Sequence, residues 1–388
     1  MYKAFSLLSV LIFFSPSAYA ISFTPLGDLA GDAFLSEPYG VSGDGSVVTG
    51  FSLTTTGAEA FRWTSTTGIQ GIGFLPGISG DSFGYGISDD GVTIVGASTS
   101  SNGTEAVSWT DFGGMVNLGI LSGSTYNSYA NAASINGSVI VGGSSSTNGT
   151  DEAFRWTLGG GMQGLGDLSG GNFVSAANDV SGDGNIIIGY GTTSAGSEAF
   201  RWTQGGGMQG LGCLTGGGNF SVGNGISLDG STVIGISDSS SGFEAFRWTQ
   251  GIGMEGLGDL PGGFFNSSAN GVSGDGSKIV GYGTTVFGNQ AFLWTPTNGM
   301  QTIEEILINE GIGAAIQGWF LFNAFAISSD GMTIVGSGLN PNGDYEAWQV
   351  TLDNNTTTPT PEPATILLIC ASLIFLSIVT TRENRLQN

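Results

Sequence analysis

The sequence predicts an all-β fold: a seven-bladed β-propeller of four-stranded blades, closed by its own N-terminal strand. Three observations carry that prediction. The chain repeats at a period of about 46 residues. Within each repeat, short alternating apolar runs are separated by Gly, Ser and Asp. The two ends of the repeat region also complete one another.

The period is read from two independent landmarks. An Asp-Gly dipeptide recurs at Asp44, Asp90, Asp183, Asp229, Asp275 and Asp330, with Asn136-Gly137 in the third unit. The spacing is 46 or 47 residues until the last step, which is 55. The third residue of Glu-Ala-Phe recurs at Phe61, Val107, Phe154, Phe200, Phe246, Phe292 and Trp348, again 46 or 47 apart until a final step of 56. Both landmarks give seven units and one insertion before the seventh.

Residues 224–262 show what one unit builds. Runs at 231–237, 244–249 and 253–260, with a short lead-in at 224–228, alternate apolar and polar residues between turn formers. That pattern signals β-strands joined by tight turns. One unit is therefore a small antiparallel sheet of four strands.

The ends decide between a ring and an open stack. Residues 21–31 contain Leu26-Gly27-Asp28-Leu29, which matches the last strand of a unit, Leu257-Gly258-Asp259-Leu260. The seventh unit stops at 348–353 and lacks that strand. A β-solenoid, the alternative, caps its ends and has no use for such complementarity. A propeller removes both open edges by completing its last blade with the first strand.

Closure orders the strands within a blade. The first strand, such as 269–273, faces the axis. The Asp-Gly turn leads to the second, such as 278–282. Glu-Ala-Phe-Arg-Trp is the third and Gly-Met-Gln-Gly-Leu-Gly the fourth. Phe246 and Trp248 are two apart, share a face of the sheet and are expected to pack against a neighbouring blade. Asp-Gly reads as a two-residue hairpin turn. The competing reading, a ring of calcium ligands, suffers from one carboxylate per turn where calcium takes several oxygens.

Glu59, Glu105, Glu152, Glu198, Glu244 and Glu346 repeat at the head of strand three, with Gln290 in the sixth unit. A catalytic carboxylate occurs once or as a close pair, so these are expected to satisfy one local hydrogen-bonding need each time. Arg62, Arg155, Arg201 and Arg247 repeat similarly and are expected to tie blades together. The insertion, residues 303–323, spaces Ile303, Ile306 and Leu307 as a short helix that caps one end of the ring.

Segments joining blades are expected to carry Phe34, Tyr39, Phe83, Tyr85, Tyr126, Tyr129, Phe173, Phe220, Phe264 and Phe265, and to share a face with the loops between strands two and three. Exposed, such aromatics stack on sugar rings; buried, they wedge blades apart. Phe264 and Phe265, with Trp319 and Phe322 of the insertion, are the candidate ligand-binding residues.

Composition narrows the function. The formal charge is −23 with no histidine, and glycine supplies 70 of 388 residues without a collagen register. An acidic surface repels phosphate backbones and excludes nucleic acid as a partner. There is no nucleophile elbow, no metal-ligand cluster and no motif for a cofactor, so no catalytic, metal or cofactor residue is assigned.

The termini address the protein. Residues 1–20 carry Lys3, an apolar stretch and Ala18-Tyr19-Ala20, a signal peptide with a small-x-small cleavage site at Ala18 and Ala20. The domain is expected to fill residues 21–353, and a Thr/Pro linker residues 354–360. Pro361-Glu362-Pro363 then precedes an apolar run, 364–381, long enough for a transmembrane helix. Arg382 and Arg385 follow, and basic residues at that place stay cytoplasmic.

That tail, residues 361–388, resembles the PEP-CTERM sorting signal of exopolysaccharide-producing Gram-negative bacteria. It differs in that Glu383 and Asn384 interrupt the basic cluster. The repeats are similar to the HAF family of extracellular repeats, through Glu-Ala-Phe-Arg-Trp and Ser-Gly-Asp-Gly-Ser, with glutamate where the family name has histidine. The resemblances imply export through the secretion translocon, transient anchoring in the inner membrane and processing by an exosortase-type enzyme. The destination would be the cell surface or extracellular matrix. They supply no ligand.

Three functions follow as expectations: a non-enzymatic surface or matrix protein contacting exopolysaccharide, a secreted glycan hydrolase or lyase on a propeller scaffold, and a purely structural protein. Intact mass of the exported protein should lack residues 1–20 and most residues after Pro363. A mature protein still ending at Asn388 would point to a simple membrane anchor instead.

Overall fold

The computed structural model describes residues 21–31, 33–76, 80–124, 127–147 and 151–352. The signal peptide with Ala18 and Ala20, the linker, the tail from Pro361 to Arg385, and Tyr126 lie outside the described residues.

Seven four-stranded antiparallel sheets form a β-propeller. Blade 5 is representative, with strands Ser221–Ile226, Thr232–Asp238, Phe243–Thr249 and Gly253–Gly256 from axis to rim. The seventh blade is built from both ends of the repeat region. Strand Ser22–Gly27 lies antiparallel to Tyr345–Thr351, with Ser22 opposite Thr351 and Pro25 opposite Trp348. The expected closure is thus observed.

Phe246 and Trp248 do pack across a seam. They join Ile188 and Ala199 of blade 4 with Ile226 and Val233 of blade 5 in one buried cluster. Each sheet is apolar on both faces because each face is covered by another sheet. The aromatic also compensates a glycine. Gly235 stands opposite a bulge in the inner strand between Gly223 and Gly225, so close that an added Cβ would strike the Val222 carbonyl. Phe246, its partner on strand three, covers the gap.

Polar groups repeat the same bonds around the ring. The serine opening the inner strand, as at Ser221, receives the Ala199 N–H of the preceding blade (2.9 Å) and donates to the Gly212 carbonyl (2.6 Å). Six seams carry this staple, including the closing one, where Ser36 receives Ala347 N–H (3.1 Å) and donates to Gly27 (2.6 Å). At the seam between blades 6 and 7 an extra bulge between Leu321 and Asn323 puts Leu321 opposite Gly338, in the register of the staple serine. There the insertion folds as a helix, Ile303–Asn309, and a 3-10 turn, Gly313–Ile316, sinking Ile303, Leu307 and Ile316 into the core beside Ala291 and Leu293. The expected helix is present, and it fills a seam.

A second ring of bonds runs through the backbone at the Asp-Gly turns. Gly43 N–H donates to the Asp89 carbonyl (2.8 Å), Asp90 to Ile135 (3.0 Å), Ile135 to Gly182 (3.1 Å), and Gly182 to Leu228 (2.9 Å). Leu228 donates to Gly274 (3.1 Å), Gly274 to Ser329 (2.9 Å), and Asp330 returns to Gly43 (3.1 Å). All run in one direction, and the circuit closes.

Several local expectations need correction. Inner strands start earlier than 224–228 and 269–273, at Ser221 and Ser267, because the serine staple fixes their first residue. Strand four ends at Gly256 rather than 260, since Gly258 turns the chain with φ +82°. The Asp-Gly pair is not a two-residue hairpin turn. Only the glycine has positive φ, as at Gly45 (+73°), whose N–H returns to the Ser42 carbonyl (2.9 Å). The aspartate holds the longer loop instead: Asp44 accepts from Ser42 Oγ (2.8 Å) and the Ser46 N–H (3.0 Å). The arginines make no hydrogen bond or ion pair to another blade among the described residues. Arg247 stands in register with Glu255 of its own strand four, and its Nε is buried without a partner.

A chain lacking residues 21–31 exposes two sheet edges and loses buried Leu26 and the Gly27 carbonyl. It should melt more than about 10 °C lower or aggregate. An unchanged calorimetric transition would contradict the closure.

Candidate functional site

The blade-joining segments and the hairpins between strands two and three do share a face. Leu53 N–H donates to the Leu35 carbonyl (3.0 Å), Thr99 to Asp81 (2.9 Å) and Asp238 to Phe220 (2.9 Å). Tyr39, Phe83, Tyr85 and Tyr129, however, belong to the inner strands, and Tyr39 and Tyr85 line the axial channel. The bulge in each inner strand shifts its side chains, which sequence alternation does not show.

The four candidate residues are divided between two segments. Phe264 is 88% exposed, and Phe265 beside it is half-buried. Trp319 packs its ring edge-on against Phe23 of the closing strand, with centroids 5.0 Å apart. Phe322 packs against Tyr345 at 5.5 Å. Trp319 and Phe322 are therefore partly structural.

Between the two segments stands the hairpin of blade 6, Ile279–Thr285 to Gly288–Thr295. Its tip exposes Val286 (71%) and Phe287 (78%). Gly262 and Gly263 pack against Val286 and Thr284, which sets Phe264 beside the hairpin. On the other side Phe287, Ile308, Trp319 and Phe320 wall a groove of about 410 Å³, with Gln290, Glu304 and Glu305 also lining it. Gln290 Nε2 donates to Glu304 Oε2 (3.2 Å). Apolar walls with a few amide and carboxylate groups suit a hydroxylated, uncharged ligand. Sequence reading overlooked Val286 and Phe287. The available signal was an apolar pair at a hairpin tip where most other repeats carry Ser, Thr or Asn.

The repeated acids are occupied. Glu59, Glu152, Glu198 and Glu244 each accept the N–H of the glycine two residues past strand four, and Glu346 that of Gly27 across the closure, at 2.8–3.2 Å. Hydrogen bonds from neighbouring serines and backbone hold Asp183, Asp229 and Asp275 below the usual carboxylate range. Among the described residues no group of three or more Asp, Glu, Cys or His is placed to hold a metal.

The axis carries a channel of about 220 Å³. One inner-strand position supplies Phe325, Tyr39 and Tyr85 from blades 7, 1 and 2, and Asn131, Asn178, Asn224 and Asn270 from blades 3 to 6. Each asparagine donates to the next blade's inner strand: to Ala177 (2.9 Å), Gly223 (2.8 Å), Ala269 (2.9 Å) and Ala324 (3.0 Å). At the Asp-Gly end Leu228 crowds Gly182 and Gly274, and Ser329 Oγ donates to Asp89, narrowing the channel.

Asp179 is the one acid at its repeat position, where other blades have Gly or Ala. It accepts the N–H of Val180 (2.7 Å) and of Ile226 in blade 5 (2.9 Å). Part of its surface reaches the channel, but protein crowds it on all sides. Desolvation by that enclosure outweighs the two bonds and pushes its pKa up to about 7.

A raised carboxylate pKa costs stability as pH rises. The folded state keeps a proton the unfolded chain has lost, so the penalty grows from about pH 4 to about pH 7 and is constant above. At ~1.4 kcal/mol per unit the effect is at most ~4 kcal/mol. Relative to the native chain, Asp179→Asn should therefore gain stability between pH 5 and pH 8, on top of a pH-independent offset for the lost acceptor. A flat difference in denaturation midpoints over that range would show that Asp179 titrates normally.

No family model matches the chain, and no curated protein matches it. Similar solved structures share the fold at low identity. A structure of two prolyl endopeptidases aligns at 11% identity and TM-score 0.51, over 86% of this chain and 50% of that one. TolB from Acinetobacter baumannii aligns at 12% identity and TM-score 0.46, over 68% of this chain and 61% of that one. A putative TolB from Agrobacterium tumefaciens aligns at 15% identity and TM-score 0.42, over 82% and 90%. The chain thus spans about half the length of the prolyl endopeptidase and under two thirds of the first TolB. At these identities the likeness is one of fold alone, a β-propeller.

Proposed function

We propose that this protein is a non-enzymatic, exported surface or matrix protein that contacts neutral extracellular polysaccharide. The observation that carries this reading is the exposed apolar band on blade 6, where Phe264, Val286 and Phe287 gather at one hairpin of an acidic, glycine-rich chain. Sugar rings present an apolar face to aromatics, and their hydroxyls exchange hydrogen bonds with amides and donate to carboxylates. No basic residue lines the groove, so an anionic polymer joins only through a bridging cation such as calcium.

Non-enzymatic action is supported by the repeated glutamates, five of which are committed to a glycine N–H. Export rests on the signal-like residues 1–20. Display rests on the PEP-CTERM-like tail, through the translocon, the inner membrane and an exosortase-type enzyme. Each contact contributes little, and many copies on a surface add avidity.

The test is retention in native gels cast with the host's extracellular polysaccharide, with and without calcium. Phe264→Ala with Phe287→Ala should abolish retention while leaving the melting temperature within about 2 °C, because both side chains are exposed. Trp319→Ala should lower the melting temperature through loss of its packing on Phe23. Free migration of the native protein under both conditions would leave only a structural role.

A further inference from the structure

The seams of this ring are held by groups that repeat: serine staples, glutamate acceptors and the backbone circuit at the Asp-Gly turns. Against that regularity, one axial position splits into two arcs. Three consecutive blades place aromatics there and four place asparagines. Tyr39 lies edge-on to Phe325 at 5.3 Å and 5.7 Å from Tyr85, so the aromatics form one continuous wall. On the facing wall the asparagine amides donate to backbone carbonyls. Among the described residues no donor reaches the Oδ1 of Asn131 or Asn224, and the Tyr85 hydroxyl makes no hydrogen bond. All of these side chains remain partly exposed.

We propose that the axial channel is a second binding site, taking a single neutral sugar unit between the aromatic arc and the asparagine arc. A sugar ring has an apolar C–H face, which suits Tyr39, Tyr85 and Phe325, and a rim of hydroxyls, which donate to free amide oxygens. The volume of about 220 Å³ is below the ~300–1,000 Å³ of pockets for drug-sized ligands, which limits the occupant to about one ring. The channel lining contains no Lys or Arg, so carboxylated or sulfated sugars lack a partner. This rests on the glycan reading above and adds a site to it.

Saturation-transfer NMR on the full chain with glucose, galactose and mannose tests it. At least one sugar should receive transfer from the protein. Tyr39→Asn with Tyr85→Asn installs the residue that blades 3 to 6 hold at this position, and should weaken binding about tenfold or more. Tyr85→Phe keeps the ring and deletes the hydroxyl, and should weaken binding about threefold. It remains informative if the double variant fails to fold. Phe264→Ala with Phe287→Ala should leave monosaccharide binding unchanged. Transfer to none of the three sugars, or transfer unaffected by the Tyr85 variants, overturns the inference. If gel retention persists in that case, the blade 6 reading survives alone; if monosaccharide binds without gel retention, the channel stands and the blade 6 reading falls.

Discussion

Everything in this molecule depends on closing the ring. A blade buries both faces only if a neighbour stands on each side, so an open ring of seven sheets would present two apolar faces and two sheet edges to water. The closing strand removes them by repeating what interior seams do. Gly27 occupies the place of Gly212 or Gly258, accepting from a serine and donating to a glutamate. The seam is therefore as well satisfied as any other, although its partners lie over 300 residues apart in the chain.

Repetition also separates scaffold from function. Most acids that recur from blade to blade keep one structural partner: five of the repeated glutamates accept a glycine N–H, and the turn aspartates accept from serine and backbone. What departs from the repeat is more informative: the apolar hairpin tip of blade 6, the helix in place of the serine staple, Asp179, and the two arcs on the axis. These departures are spread over different blades and are not gathered as a constellation of acid, base and nucleophile.

Much of the architecture was legible in the residues because the repeat averages out local ambiguity. Four copies of Glu-Ala-Phe-Arg-Trp and three variants of it located strand three, and Leu26-Gly27-Asp28-Leu29 located the closure. The backbone circuit at the Asp-Gly turns was not legible, since amide-to-carbonyl bonds leave no side-chain signature. The inner-strand bulges were hidden for the same reason, and they moved Tyr39 and Tyr85 from the joining segments to the channel. The arginines misled because repetition says that a residue has a role and not which partner supplies it. Of the candidate site, Phe264 was legible as an exposed aromatic. Trp319 was legible only as an aromatic, its packing on Phe23 being a contact between distant parts of the chain.

The shared seventh blade has a kinetic consequence. Strand Tyr345–Thr351 pairs with Ser22–Gly27, so the first strand of the repeat region waits for the last before it has a partner. Loop closure over so long a separation carries an entropic cost that no local contact offsets beforehand. During synthesis from the N-terminus the ring is therefore incomplete until the final blade emerges. The strand that latches the finished propeller is thus the one that stays longest without its partner in the unfinished one.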